Sequence, residues 1–181
     1  LKPKKCKAPS CLKEFIPFSS LAKACCVKCA LELNKVAADK KYNQETKRLK
    51  ESIKTRTEWY DGLQVLVNRY VRLRDKDKPC CTCGKTSDVK YDAGHFLSRG
   101  AFPELRFELT NIHKQCSVNC NQHGSGMRKE YEDFIAETYG DKHLRWLKGP
   151  HELLKDKYPH TDDIKEEIKK FREMIKEIKR G

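Results

Sequence analysis

The feature that most limits what this chain can fold into is the spacing of its cysteines. Ten cysteines occur in 181 residues, and they fall in tight groups: Cys6 with Cys11, Cys25 and Cys26 with Cys29, Cys80 and Cys81 with Cys83, and Cys116 with Cys120. Small secreted disulfide scaffolds spread their cysteines through loops, whereas a close pair matched by a later close pair is how a tetrahedral Zn²⁺ is held. Cys80 and Cys83 form C-x2-C followed by Gly84, and Cys116 with Cys120 returns a second pair. One Zn²⁺ is expected at Cys80, Cys83, Cys116 and Cys120, with Cys81 left over. A second is expected at Cys6, Cys11, Cys25 and Cys29, with Cys26 as the alternative to Cys25 and a lone stabilising disulfide as the competing reading. A fully thiolate-ligated zinc keeps no open coordination position, so both ions are structural and any chemistry lies elsewhere.

Around this frame the pattern is mostly helical. Residues 1–33 read as a zinc knuckle, with Pro3, Pro9 and Pro17 interrupting any regular element. Residues 34–78 read as a basic connecting helix followed by a packing helix, since no Pro and one glycine, Gly62, occur from about Leu31 to Asp77. Leu63, Leu66, Val67, Tyr70, Val71 and Arg74 recur at three- and four-residue steps, so this part packs on the next module. In the compact centre, 79–127, "DVKYDAGHF" and "LRFELTNIH" read as two short strands. Residues 128–181 return to helix, including "HELLKDKY" after Pro150 and a last helix with Thr161 as N-cap. Its Ile164, Ile168, Phe171, Ile175 and Ile178 make one stripe, a core or partner-helix face.

Lys and Arg number 39 against 26 Asp and Glu, a net charge of +13 that suits a phosphate-covered partner. The excess sits early: residues 1–56 hold 15 basic against 5 acidic residues, and the remainder 24 against 21. The N-terminal third is therefore the better candidate for backbone contact, although Lys-rich helices are also simply well solvated. The stretch "FIPFSSLAKACCVKCAL" is broken by Lys23 and Lys28, so it resembles neither a signal peptide nor a membrane span. Reduced, paired thiols then point to an intracellular, cytoplasmic location.

Asp92, His95, Asn111, His113, Asn121 and His123 cluster around the central cysteines and are not needed by zinc. Carboxylate, amide and imidazole together suit a hard, partly hydrated divalent ion such as Mg²⁺. A histidine beside such an ion can take the proton from a water attacking a phosphodiester.

"DAGH", "TN" before Cys116-x3-Cys120, and Asn121 after the last cysteine resemble the HNH, or ββα-metal, nuclease motif in a zinc-holding frame, in the variant with asparagine for the third histidine. "DKPCCTCG", "YDAGHF", "PELRF", "NIHKQC" and "CNQHGSG", in this order, resemble the NinG (Rap) recombination proteins of lambdoid phages over essentially the whole chain. The resemblance implies an α+β, mostly helical fold: a small zinc-bound ββα-metal core flanked by long helices, plus the N-terminal knuckle. It also implies a divalent-metal-dependent endonuclease that nicks branched recombination intermediates such as Holliday junctions and D-loops.

Carried over residue by residue, it makes His95 the general base and Asn121 a ligand of a catalytic Mg²⁺ or Mn²⁺ at the start of the following helix. Asn111 takes the position that orients the loop and the histidine. Many such sites have Asp directly before the base; here Gly94 stands there, so the carboxylate ligand is Asp92, or the metal leans on His123, itself a second ligand or a phosphate contact. His113 is either functional or a satisfied structural histidine. Arg99, Lys114, Arg128 and Lys129 flank the cluster and are expected to grip the scissile or neighbouring phosphates, whereas the lysines of the N-terminal knuckle and arm are expected to follow the duplex backbone without reading sequence. A branched substrate with two near-equivalent strands suits a homodimer, through the connecting helix or the isoleucine stripe, and other recombination proteins are possible partners. The alternatives are a non-catalytic, zinc-dependent nucleic-acid-binding module and a recombination scaffold.

Overall fold

A computed structural model describes residues 1–86 and 89–180, which form two compact units, Leu1–Lys54 and Thr55–Gly181. The chain is mostly helical α+β with two small two-stranded sheets. No helix among the described residues is long and apolar enough to cross a membrane.

The first unit pairs β1 (Lys4–Lys5) with β2 (Glu14–Phe15), antiparallel, and continues into α1 (Val27–Ser52). Its core is small, with Cys6, Ala8 and Cys29 buried and Phe15 and Leu33 packed on them. Cys29 is the one buried residue of this 26-residue helix, so α1 owes little to apolar packing and is anchored at its N-terminal end. It begins earlier than the sequence indicates, because the last cysteine group forms its first turn.

The connecting and packing helices separate at Ile53–Thr55. There Thr55 opens α2 (Arg56–Arg74) in the second unit with a capping box: its N–H donates to Glu58 Oε2 (2.7 Å) and its hydroxyl accepts from the Glu58 N–H (3.3 Å). Leu63, Val67 and Val71 are fully buried against β3 (Tyr91–His95), β4 (Ile112–Cys116) and α6 (Thr161–Ile178). Both ends of α2 are pinned: Arg56 donates to the carbonyls of Tyr158 and Pro159, and Arg74 to those of Leu109 and Ile112. Burial would raise the carboxyl of Asp75, but hydrogen bonds from Arg74 and Lys78 outweigh it and hold it below the ordinary carboxylate range.

β3 and β4 pair antiparallel, with Asp92 opposite Gln115, Gly94 opposite His113 and His95 opposite Ile112. Asp88, where the first strand is expected to begin, lies outside the described residues. The second strand starts later than the sequence indicates. Residues 103–105 and 109–111 are 3₁₀ turns instead. The apolar alternation there imitates a strand, but Leu105 turns into a core with Phe96, Tyr131 and Ile135, whereas Phe107 turns into the α2/α6 core.

Where a ββα motif requires an α-helix after the second strand, the chain makes a seven-residue π-helical turn, Ser117–His123, and then α3 (Arg128–Tyr139) and α4 (Asp141–Leu147). Asn121 therefore lies inside this turn and not at a helix start. "HELLKDKY" yields a single turn, α5 (Leu154–Lys157). The N-cap of α6 is His160, not Thr161, and its N–H donates to Asp163 Oδ2 (2.7 Å). Ile164, Ile168 and Phe171 are buried with α2 in one core and Ile175 is buried beyond them, while Ile178 at the end is exposed, so most of the stripe fills this chain's own core and is not free to pair with a second copy.

Candidate functional site

The two cysteine groups converge as their spacing predicts. In the first unit the Sγ atoms of Cys6, Cys11, Cys25 and Cys29 come together, with Cys11–Cys25 and Cys25–Cys29 at 3.7 Å; Cys26 is exposed outside the group. In the second unit Cys80, Cys83, Cys116 and Cys120 do the same, with Cys80–Cys120 at 3.9 Å and Cys83–Cys116 at 3.7 Å. A tetrahedron with Zn–S bonds of ~2.3 Å has edges of about 3.8 Å, and a disulfide would need ~2.05 Å, so both groups have the dimensions of zinc sites. Each could hold a zinc ion. In the second, Gly84, at φ +69°, turns the chain so that its N–H donates to Cys80 O (3.0 Å), and the Cys116 N–H donates to Cys80 Sγ (3.3 Å). Cys81 faces the core beside Tyr131; the neighbouring Cys80 sulfur and burial push its thiol well up, which keeps it a thiol.

The Cys80 cluster fixes the open end of the β3–β4 hairpin, where Tyr91 pairs with Cys116, and along the free edge of β3 runs a cleft of about 370 Å³. Asp92, Ala93 and His95 of β3, Ser98 and Arg99 of the following loop, Asn121 of the π-helical turn and Asn68 and Arg72 of α2 line it. Asp92 and His95 are three apart and point to different faces of the ribbon. Both reach the cleft because no third strand covers that edge.

His95 Nε2 lies 3.1 Å from the carbonyl oxygen of Arg106. A carbonyl only accepts, so Nε2 carries the proton and Nδ1 is left with a free lone pair. Burial lowers the pKa to about 4; the Arg106 carbonyl opposes this, and the charges of Arg99 and Arg106 add to it. The imidazole is therefore neutral at pH 7. Arg106 is itself held, donating through Nε to Gln64 Oε1 (3.1 Å) and through Nη2 to Asp61 Oδ1 (2.6 Å).

Asn111 is fully buried and clamps the loop after His95. Its Oδ1 accepts from the Leu97 N–H (2.8 Å), and its Nδ2 donates to Leu97 O (3.0 Å) and Leu105 O (3.3 Å). Asp92 accepts a hydrogen bond from the Ser117 hydroxyl. Gly94 has a steric cause: a Cβ there would run into the amide oxygen of Gln115, which is buried and tied through Nε2 to Gly126 O (2.8 Å).

Several expected site residues are not brought into the cleft. His123 is exposed outside it. The Lys114 ammonium donates to the carbonyls of Lys76 (2.8 Å) and Lys78 (2.7 Å) and lies 4.2 Å from the centre of the Tyr91 ring, so it is not free to grip a phosphate. Arg128 and Lys129 are exposed at the start of α3 and do not line the cleft. His113 is buried between the hydroxyls of Tyr131 (3.3 Å) and Tyr139 (2.8 Å), and burial takes its pKa down to about 3; its role is structural. Among the described residues, the two thiolate groups are where three or more His, Cys, Asp or Glu side chains converge closely enough to share an ion.

Sequence reasoning missed Asn68 and Arg72. The signal was present: Gln64, Asn68 and Arg72 repeat at four-residue steps, each directly after a member of the buried series Leu63, Val67, Val71, and so form a polar line along the edge of the packed face.

The fold and its metal frames define a class: a two-unit, mostly helical protein in which each unit carries a cluster of four cysteines able to hold zinc. The profile of the family described as "Bacteriophage Lambda NinG protein" matches residues 1–181, and the chain belongs to that family. "Protein ninG" of Salmonella phage P22 is 44% identical over 89 residues, which is 49% of this chain and 43% of the relative. "Protein ninG" of Escherichia phage lambda is 39% identical over 100 residues, 55% of this chain and 48% of the relative. The chain spans about half the length of the curated relatives it matches. No solved structure matches it.

Proposed function

We propose that this chain is a divalent-metal-dependent DNA endonuclease of the HNH type that nicks branched recombination intermediates. The observation that carries the reading is His95: a neutral imidazole with Nε2 committed to Arg106 O and Nδ1 free, in one cleft with a carboxylate, an amide and an arginine. A histidine with no catalytic task has no need of an uncommitted acceptor nitrogen in a polar cleft beside Asp92, Asn121 and Arg99.

In this mechanism His95 Nδ1 takes a proton from a water whose oxygen attacks the phosphorus. The P–O bond to the leaving oxygen breaks, and solvent protonates that oxygen. Asp92 and Asn121 would hold Mg²⁺ or Mn²⁺, which supplies neutralisation of the charge that develops on the leaving oxygen. One carboxylate and one amide suffice for an ion that keeps most of its waters. Asn111 holds the loop that follows the base, and the zinc clusters hold the scaffolds. The basic residues of the first unit follow the duplex backbone, so recognition is by shape and salt-sensitive. Cutting two near-equivalent strands of a junction calls for a homodimer; with the stripe of α6 buried, α1 is the remaining expected interface, and other recombination proteins are the further expected partners.

One observation favours a non-catalytic zinc-dependent nucleic-acid-binding module: Gly94 occupies the place of the usual aspartate, and a Cβ there would run into the Gln115 side chain. Incubating a synthetic four-way junction with the protein and Mn²⁺ separates the two readings. Nicking by the wild type and not by His95→Ala supports the nuclease; salt-dependent binding with no nicking by either supports the module.

A further inference from the structure

The α2 wall of the cleft faces the β3 wall, and nothing in the reaction above uses it. Four arginines of the second unit approach this region: Arg99, in the loop after β3, lines the cleft from the side of the base, and the other three differ in what they do. The Arg74 guanidinium is consumed by Asp75 and the carbonyls of Leu109 and Ile112, and that of Arg106 by Gln64 and Asp61. Arg72, exposed at the cleft, enters no ion pair or hydrogen bond among the described residues. One turn earlier, Asn68 has its Oδ1 engaged by Gln64 Nε2 at 2.8 Å. An amide whose oxygen is occupied presents its NH₂ group, so Asn68 offers the cleft a donor. Gln64 is in turn fixed by Arg106, whose carbonyl fixes His95. The Asn68 donor of one wall and the base of the other are thus linked by one chain of hydrogen bonds, Asn68 to Gln64 to Arg106 to His95, with Arg72 outside it.

We propose that Arg72 and Asn68 are the phosphate-holding wall of this cleft, gripping the non-bridging oxygens of the phosphodiester that His95 faces. The inference rests on the reading of the cleft as a phosphodiester site. It fits the chemistry of the α2 wall, which carries donors alone, a guanidinium and an amide NH₂, and so takes an anion; Arg99, in the loop after His95, brings a second positive charge to the same cleft. A guanidinium matches two phosphate oxygens at once, and a free arginine aimed at developing negative charge acts most in the transition state. Arg72 and Asn68 come from α2, while His95 and Asp92 come from β3, so the packing of Val67 and Val71 on Ala93 sets the width of the cleft.

The test uses the full chain, a four-way DNA junction and Mn²⁺ for cutting, with Ca²⁺ in its place for binding, and compares wild type with Arg72→Ala, Arg72→Lys and Lys169→Ala. Lys169, exposed on α6, controls for the loss of one positive charge. Arg72→Ala is expected to lower single-turnover cutting about 10²-fold, with zinc content and melting temperature unchanged. Arg72→Lys recovers part of the loss, because an ammonium replaces the charge but not the fork, and Lys169→Ala cuts like wild type. Arg72→Ala cutting as fast as wild type overturns the inference. A wild type that cuts no junction defeats the nuclease reading by itself, and the binding arm then decides this one. Loss of about 0.9 from the slope of log affinity against log salt in Arg72→Ala, and not in Lys169→Ala, supports a phosphate contact. The wild-type slope in Arg72→Ala overturns it.

Discussion

His95 and Arg106 are joined by a hydrogen bond from the imidazole Nε2 to the backbone carbonyl, 3.1 Å long, and this one contact determines which nitrogen of the ring is free. Burial lowers the pKa to about 4, so the base form persists well into acid. Cutting at about pH 5.5 is expected to match that at about pH 7.5, whereas an ordinary histidine would be about nine-tenths protonated at the lower value. The effect on stability has the same origin. The unfolded chain takes up this proton near pH 6.5 and the folded chain only near 4, so stability declines as the pH falls through that window. Following the His95 ring resonances against pH checks both; titration near 6.5 in the folded protein would contradict them.

Restoring the missing aspartate should fail. Gly94→Asp places a side chain against Gln115, which is buried and bonded to Gly126, and overpacking of this kind costs about 1–3 kcal/mol. Urea unfolding of the variant measures the loss. A Gly94→Asp protein as stable as wild type would show that Gln115 moves aside.

Asn111 makes three hydrogen bonds from a fully buried side chain to Leu97 and Leu105. Asn111→Ala leaves those backbone groups unpaired, at about 1–3 kcal/mol for a buried group left unsatisfied. Because the loop they hold follows His95 directly, cutting should fall with stability. Asn111→Asp should be at least as damaging, since a carboxylate would face the two carbonyls that now accept from Nδ2.

Zinc content distinguishes the adjacent cysteines of the first unit. Wild type is expected to bind about two zinc ions per chain, Cys26→Ala the same, and Cys25→Ala one fewer. Metal analysis of the three purified proteins is sufficient. Loss of an ion in Cys26→Ala would place that thiol in the cluster.

The cysteine framework is legible in the sequence because ligand spacing is a local property that zinc geometry makes nearly independent of the fold. The choice between Cys25 and Cys26 is not, since it depends on where α1 begins: Cys26 sits at its N-cap and is exposed, outside the group of four. The α2 stripe of Leu63, Val67 and Val71 is readable from its period, and the division into a connecting and a packing helix from the change in apolar content, whereas the point of the break is set by the Thr55–Glu58 capping box. The second strand is misplaced by pattern alone because Leu105 and Phe107 enter different cores from one stretch of 3₁₀ turns, a tertiary arrangement that looks like strand alternation. The α6 stripe is recognisable as apolar, but sequence does not say whether such a face meets its own chain or another. The cleft is half legible. Asp92, His95, Asn121 and Arg99 lie within thirty residues of one another, whereas Asn68 and Arg72 reach it only through the packing of α2 on β3.

The most direct measurement is cutting of a synthetic four-way junction by the wild-type chain and by His95→Ala in Mn²⁺, with junction affinity and zinc content determined for both. The account predicts that the wild type nicks, and that His95→Ala binds equally, retains its zinc and does not nick. Nicking by His95→Ala at the wild-type rate would contradict it.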